Sequence, residues 1–157
     1  MTHQREKRPY QILLAEDSPA DVGLIRMVLR DENLDHVLRV ATDGAEAITF
    51  IRESDKNSKA PGFDLLLLDM HLPKHDGEEI LNCLRSTGRH GHTPVVVLSS
   101  SDAPADRKRA LKQAALVYFR KPSDFEEFAE LGTIIRNILI GRPPTSPQPP
   151  ATDGETV

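Results

Sequence analysis

The sequence predicts an α/β fold, a doubly wound sheet of five parallel strands with helices on both faces. Three observations predict it. Short apolar runs alternate with longer amphipathic segments through the middle of the chain. Turn residues bound the short runs, as they bound strands. Two runs, Leu65–Leu68 and Val95–Leu98, are apolar without a break, which is the pattern of strands covered on both sides.

The elements follow in order. Tyr10–Ala15 reads as a buried strand running into Glu16-Asp17. Ser18-Pro19 opens a helix, since serine caps the free N–H groups and proline suits the first helical position. Leu24, Met27, Val28 and Leu29 supply its apolar face. Val37–Ala41 is a second strand, Ala45–Arg52 a second helix and Phe63–Asp69 the most apolar strand. Asp76–Arg85 reads as a helix, Pro94–Leu98 as a strand, Ala105–Gln113 as a helix and Leu116–Arg120 as the last strand. Asp124–Ile140 is one long final helix carrying Phe125, Phe128, Leu131, Ile134, Ile135, Ile138 and Leu139. Five such units make a flavodoxin-like sheet of strand order 2-1-3-4-5. The domain spans residues 10–140. Residues 1–9 read as a flexible N-terminus, and 141–157, with five of the twelve prolines, as a disordered tail.

Composition narrows the function. The 157 residues carry a formal net charge of −4, so no global basic field exists to hold a nucleic-acid backbone. One cysteine, Cys83, cannot form an internal disulfide, which suits a reducing compartment. No apolar run approaches the ~18 residues of a membrane span, and the polar start lacks the core of a signal peptide. A cytoplasmic domain without membrane insertion is expected.

In a doubly wound sheet, ligands gather at the carboxyl ends of the strands. There the chain places Glu16-Asp17, Asp69, Ser99-Ser100-Ser101 and Lys121-Pro122. Carboxylates a few ångströms apart resist joint ionisation unless a cation lies between them, and oxygen ligands suit Mg²⁺. With a hydroxyl and a lysine, such a cluster describes phosphoryl transfer, with Asp69 as nucleophile.

The segments LLAEDSPAD (Leu13–Asp21), LLLLDMHLPKHDG (Leu65–Gly77), PVVVLSSS (Pro94–Ser101) and YFRKP (Tyr118–Pro122) resemble the marks of response-regulator receiver domains of two-component signalling. EDSPAD and PVVVLSSS resemble the stand-alone regulators that partner bacterial phytochromes and related sensor kinases. The resemblance implies that Asp69 is the phosphoacceptor and that Glu16, Asp17 and Asp69, with the main-chain carbonyl of His71, hold Mg²⁺. It makes Ser99 the switch hydroxyl, Lys121 the partner of the phosphoryl group and Tyr118 an aromatic that turns inward when the hydroxyl moves. Pro122 falls where the family has a cis peptide bond, and Gly77 closes a turn where a positive φ favours glycine. The side chain of His71 is expected to alter the lifetime of the acyl phosphate. Ala114-Ala115 stands where the family commonly has Gly-Ala, so strain is expected at Ala114.

The implied function is a single-domain response regulator that takes a phosphoryl group from a sensor histidine kinase. Its output is a changed surface on the fourth helix, fifth strand and fifth helix, read by a downstream protein or by a second copy in a homodimer. The chain after the last helix is too short for a helix-turn-helix module, so a DNA-binding output is not expected. Three other readings compete. A phosphorylation-independent scaffold would need none of this chemistry. A small metal-dependent phosphohydrolase of the haloacid dehalogenase type would want an aspartate where His71 stands. A flavin module would want a phosphate loop where Glu16-Asp17 would repel phosphate. His71, His75, His90 and His92 read as exposed loop histidines, Cys83 as a packing residue, and Asp106–Arg109 as a solvated helix face.

Overall fold

The computed structural model describes residues 8–101, 103–112 and 115–141. Strands β1 (Tyr10–Ala15), β2 (His36–Ala41), β3 (Leu65–Asp69), β4 (Val95–Ser99) and β5 (Val117–Arg120) form one parallel sheet in the expected order, β2-β1-β3-β4-β5. Helices α1 (Pro19–Asp31), α2 (Gly44–Lys56), α3 (Gly77–Ser86), α4 (Pro104–Lys112), α5 (Phe125–Phe128) and α6 (Glu130–Leu139) complete the order. The expectations for residues 1–7, for the Pro-rich stretch from 142 and for Ala114 fall outside the described residues.

Side chains alternate across the sheet, and two cores follow. Leu13, Leu66, Leu68, Val95, Val97 and Tyr118 face α2, α3 and α4, against Ile51, Ile80, Leu84 and Ala110. Their neighbours Ile12, Leu14, Leu65, Leu67, Val96, Leu98 and Phe119 face α1, α5 and α6, against Ile25, Leu29, Phe128 and Ile135. β3 and β4 are buried at every residue. Each such Leu or Val contributes roughly 1.5–3 kcal/mol relative to exposure, so these central strands form a rigid base for the residues at their ends.

Caps set where the helices begin. Ser18 Oγ accepts the Asp21 N–H at 3.2 Å and Pro19 follows at the first helical position. Asp76 and Glu79 make a full capping box at α3. The single final helix read from the sequence is instead two helical segments joined at Ala129. That residue keeps φ −64° and ψ −20°, and the Gly132 N–H bonds its carbonyl at 3.0 Å, a one-residue tightening toward 3₁₀ geometry. Such geometry eclipses residues three apart, which suits Phe128 and Leu131, both buried in the same core.

Gly77 requires a second correction. Its φ is not positive; the positive values among non-glycine residues fall at Asn33 and at Lys74, in the loop before α3. Glycine is needed at 77 because a Cβ there would meet Met70 Cα at 2.8 Å. Gly44 is needed for a similar reason, since a Cβ there has no space against His75, and its N–H bonds the Pro73 carbonyl at 2.9 Å. The loop from 71 to 76 is thereby docked on the start of α2, and Lys74 Nζ reaches Asp43 at 3.3 Å.

His90 is a third correction. Rather than exposed, it is 1% accessible, and its Nε2 accepts the Phe63 N–H at 3.1 Å. Burial, and then the charge of Arg89, lower its pKa and keep it neutral. Arg89 also donates to the carbonyls of Ser54, Asn57 and Ala60, binding the end of α2 to the segment before β4. Among the described residues, no helix is long and apolar enough to cross a membrane.

Candidate functional site

Strand order reverses between β1 and β3, and the acidic residues lie at the carboxyl ends of those two strands. Carboxylate oxygens of Glu16, Asp17 and Asp69 fall within 4.8 Å of one another. Glu16 is fully buried, Asp69 nearly so, and Asp17 is exposed. β1 fixes Glu16 through its N–H, which bonds the Ala41 carbonyl at 2.9 Å at the end of β2. Glu16 Oε2 then accepts the Ser18 N–H at 3.1 Å. Asp69 Oδ1 accepts the His71 N–H at 3.0 Å, which holds the carboxylate against its own loop.

Lys121 enters this cluster from the end of β5, where its main-chain N–H bonds the Ser99 carbonyl at 2.7 Å. Its ammonium lies 2.8 Å from Asp21 Oδ2, 2.8 Å from Glu16 Oε1 and 3.4 Å from Asp69 Oδ2, with 11% of the side chain exposed. Burial works against that ammonium, but hydrogen bonding to Asp21 and Glu16 and the charge of Asp69 outweigh it and raise the Lys121 pKa. Glu16 behaves oppositely. Burial, reinforced by the charge of Asp69, pushes its carboxyl up to about 7 despite Lys121. Among the described residues its Oε1 meets no donor but the Lys121 ammonium, 2.8 Å away and poorly aligned, so this buried acceptor keeps a free lone pair.

That free lone pair tests the fit of a divalent cation. A hard cation beside Glu16, Asp17 and Asp69 would take up the Oε1 lone pair and remove the carboxylate repulsion that helps hold the Glu16 pKa high. The all-oxygen donors fit such an ion and disfavour softer metals.

At the end of β4, Ser99 is buried and its Oγ accepts the Ser101 N–H at 3.0 Å. Tyr118 on the edge strand is already turned inward, 3% exposed, and its hydroxyl donates to the Ser101 carbonyl at 2.7 Å. Ser101 Oγ in turn donates to Asp106 at 2.8 Å. The face from 106 to 109 is therefore more than solvated charge: Asp106 holds Ser101, and Arg107 lies 4.9 Å above the Tyr118 ring. A cavity of about 130 Å³ opens beside this group, lined by His71, Ser99, Asp106, Arg109 and Tyr118 among others.

The fold thus brings together Glu16, Asp17, Asp69, Lys121 and Ser99, with Tyr118 beside them. His71 contributes its N–H to Asp69 while its side chain is exposed. Pro122 is half-buried beyond the lysine. Sequence reasoning missed Asp21. Ser18-Pro19-Ala20-Asp21 fits the pattern of a capping box, which hides the role of its acid. Here Glu16 takes the Ser18 N–H, and the Asp21 carboxylate turns to Lys121 instead.

Comparison with known proteins agrees with this geometry. Residues 12–131 match the family described as the response regulator receiver domain. The chain is 40% identical over 93 residues to the response regulator Rcp1 of Synechocystis sp., covering 59% of this chain and 63% of that protein. It is 37% identical over 143 residues to the transcriptional regulatory protein TrcR of Mycobacterium tuberculosis, covering 90% of this chain but 51% of the relative. Among solved structures, the phosphorylated cyanobacterial phytochrome response regulator RcpA superposes with a TM-score of 0.75 at 30% identity, over 85% of this chain and 95% of that one. The Mn²⁺-bound form of Rcp1 gives 0.72 at 32% identity, over 82% and 93%. The sheet order, the strand-end acids and the span of the match lead to one assignment: the chain belongs to the family of response regulator receiver domains.

Proposed function

We propose that the chain is a response regulator receiver that accepts a phosphoryl group on Asp69 from a sensor histidine kinase, of the kind coupled to phytochromes, and signals through an altered protein-binding surface. One observation carries the proposal: the carboxylates of Glu16, Asp17 and Asp69 converge within 4.8 Å, beside a nearly buried lysine, at the switch point of the sheet. Likeness to the phytochrome response regulator RcpA supports the phytochrome-type partner.

In this reading a carboxylate oxygen of Asp69 attacks the phosphorus of a kinase phosphohistidine. A P–O bond forms as the P–N bond breaks, and the electron pair returns to the imidazole. Glu16 and Asp17, with Asp69 and the His71 carbonyl, would hold Mg²⁺, which supplies charge neutralisation on the transferring group. Lys121 pairs with one phosphoryl oxygen and Ser99 donates its hydroxyl to another. To do so Ser99 Oγ turns within the hydrogen-bonded set of Ser101 and Tyr118, which is how the charge on Asp69 reaches the edge strand. α4, β5 and the final helices form the responding surface, for a downstream protein or a second copy. Leu111 and Leu116 lie exposed there, at 46% and 47%. The protein acts as a switch within the cytoplasm, not as an enzyme on an external substrate.

Transfer of labelled phosphoryl from an autophosphorylated sensor kinase tests this reading. Label should move to the wild type within minutes and be lost in hot alkali, as an acyl phosphate is. Label that moves equally to Asp69→Asn would place the acceptor elsewhere and overturn it.

A further inference from the structure

We propose that Asp21 is a positioning residue that restrains Lys121 before phosphorylation and competes with the phosphoryl group for its ammonium. The inference rests on the phosphoryl-acceptor reading above. Lys121 has three carboxylate neighbours, and they are not equivalent. Asp21 Oδ2 makes an aligned hydrogen bond at 2.8 Å, Glu16 Oε1 lies as near but off-axis, and Asp69 Oδ2 is the farthest at 3.4 Å. At rest the ammonium lies closer to Asp21 and Glu16 than to the group it is to serve, with which it keeps a longer hydrogen bond.

Asp21 is fixed where it stands. It lies in the first turn of α1, its N–H bonds Ser18 Oγ, and Ile25, Val28 and Leu29 bury the helix against the sheet. It also lies outside the trio whose oxygens gather within 4.8 Å. With a cation held among Glu16, Asp17 and Asp69, two of the lysine's three partners would be shared with it and Asp21 would keep the third bond. With only 11% of the Lys121 side chain exposed, water does little to replace a lost partner. A phosphoryl group on Asp69 must therefore win the ammonium from Asp21, and the strength of that pair sets how fully Lys121 commits to the phosphorylated state.

Beryllofluoride, which mimics a phosphoryl group on a carboxylate, provides the probe. Its affinity is measured by calorimetry at saturating Mg²⁺ for the wild type, Asp21→Asn and Asp21→Ser, each also in a Lys121→Met background. Thermal melts confirm that each variant folds. Both Asp21 variants should bind about three- to tenfold more tightly than the wild type, and the gain should vanish without Lys121. A purely structural role for Asp21 would lower the melting temperature and leave the affinity alone. Equal or weaker binding in the Asp21 variants, or a gain that persists with Lys121→Met, overturns this inference while the receiver reading stands. No binding by the wild type overturns both.

Discussion

The Tyr118 hydroxyl donates to the main-chain carbonyl of Ser101 at 2.7 Å, joining the edge strand β5 to the segment that follows β4. The same Ser101 gives its N–H to Ser99 Oγ at 3.0 Å and its hydroxyl to Asp106. Tyr118 is thus two hydrogen bonds away from the hydroxyl proposed to meet the phosphoryl group. Tyr118→Phe keeps the buried ring and removes the tie. The loss of one such bond costs about 1 kcal/mol, which for a domain of this size lowers Tm by roughly 2–4 °C. Hydrogen exchange should quicken at Ser100 and Ser101 and stay unchanged in β1 and β3. Unchanged exchange at Ser101 would show that the tie does not hold the loop.

Gly44→Ala tests how the loop before α3 is held. The added Cβ would lie against His75 main-chain atoms, 2.8 Å from its carbonyl carbon. Because backbone must move, the cost should reach about 1–3 kcal/mol, and the Gly44 hydrogen bond to Pro73 should weaken with it. Denaturant unfolding measures the loss; a change under about 0.5 kcal/mol would mean that the loop shifts freely.

Glu16 carries a pH signature. Its folded pKa of about 7 lies above the usual 4.5, so the folded protein holds a proton there that the unfolded chain releases. Its contribution to stability is complete below pH 4.5 and lost as pH rises through 7. Without divalent cation, the wild type should match Glu16→Gln in acid and become less stable than it by on the order of 2 kcal/mol above pH 7. Mg²⁺ bound beside Glu16 would displace that proton, so its apparent affinity should fall as pH drops below 7, with proton uptake by the buffer seen in calorimetry. A flat pH profile for both quantities would contradict a buried, protonated Glu16.

His90 carries the opposite signature. Its pKa is lowered by burial, so the neutral ring stabilises the fold fully above the usual 6.5 and less as pH falls. Protonation sets a ring N–H against the Phe63 N–H that Nε2 accepts at neutral pH. His90→Gln, which retains an acceptor, should lose less stability than the wild type between pH 6.5 and 5. Identical acid profiles in urea unfolding would count against a buried neutral ring.

Much of the site was legible because single residues carry the chemistry at strand ends. Unbroken apolar runs such as Leu65–Leu68 mark buried strands, and in a doubly wound sheet the residue after such a run sits at the rim. Asp69, Ser99 and Lys121 could be found that way. Asp21 could not, because its partner is 100 residues distant and its local pattern reads as a helix cap. His90 lies in a polar loop sequence, and only the packing of Phe63 and Arg89 around it makes it internal. Gly77 was recognised for the wrong physical reason, since sequence does not distinguish a glycine needed for φ from one needed for clearance over Met70. Ala129 has helical propensity and a helical backbone, so nothing local signalled the tightening there.

Asp69 is proposed to form an acyl phosphate in a cation-dependent reaction. Intact mass spectrometry after incubation with a small-molecule phosphodonor and Mg²⁺ reads it directly, beside Asp69→Asn and a chelated control. A single phosphoryl adduct, labile at alkaline pH, is expected in the wild type with Mg²⁺ and in neither control. An adduct that persists in Asp69→Asn, or that forms equally under chelation, would contradict it.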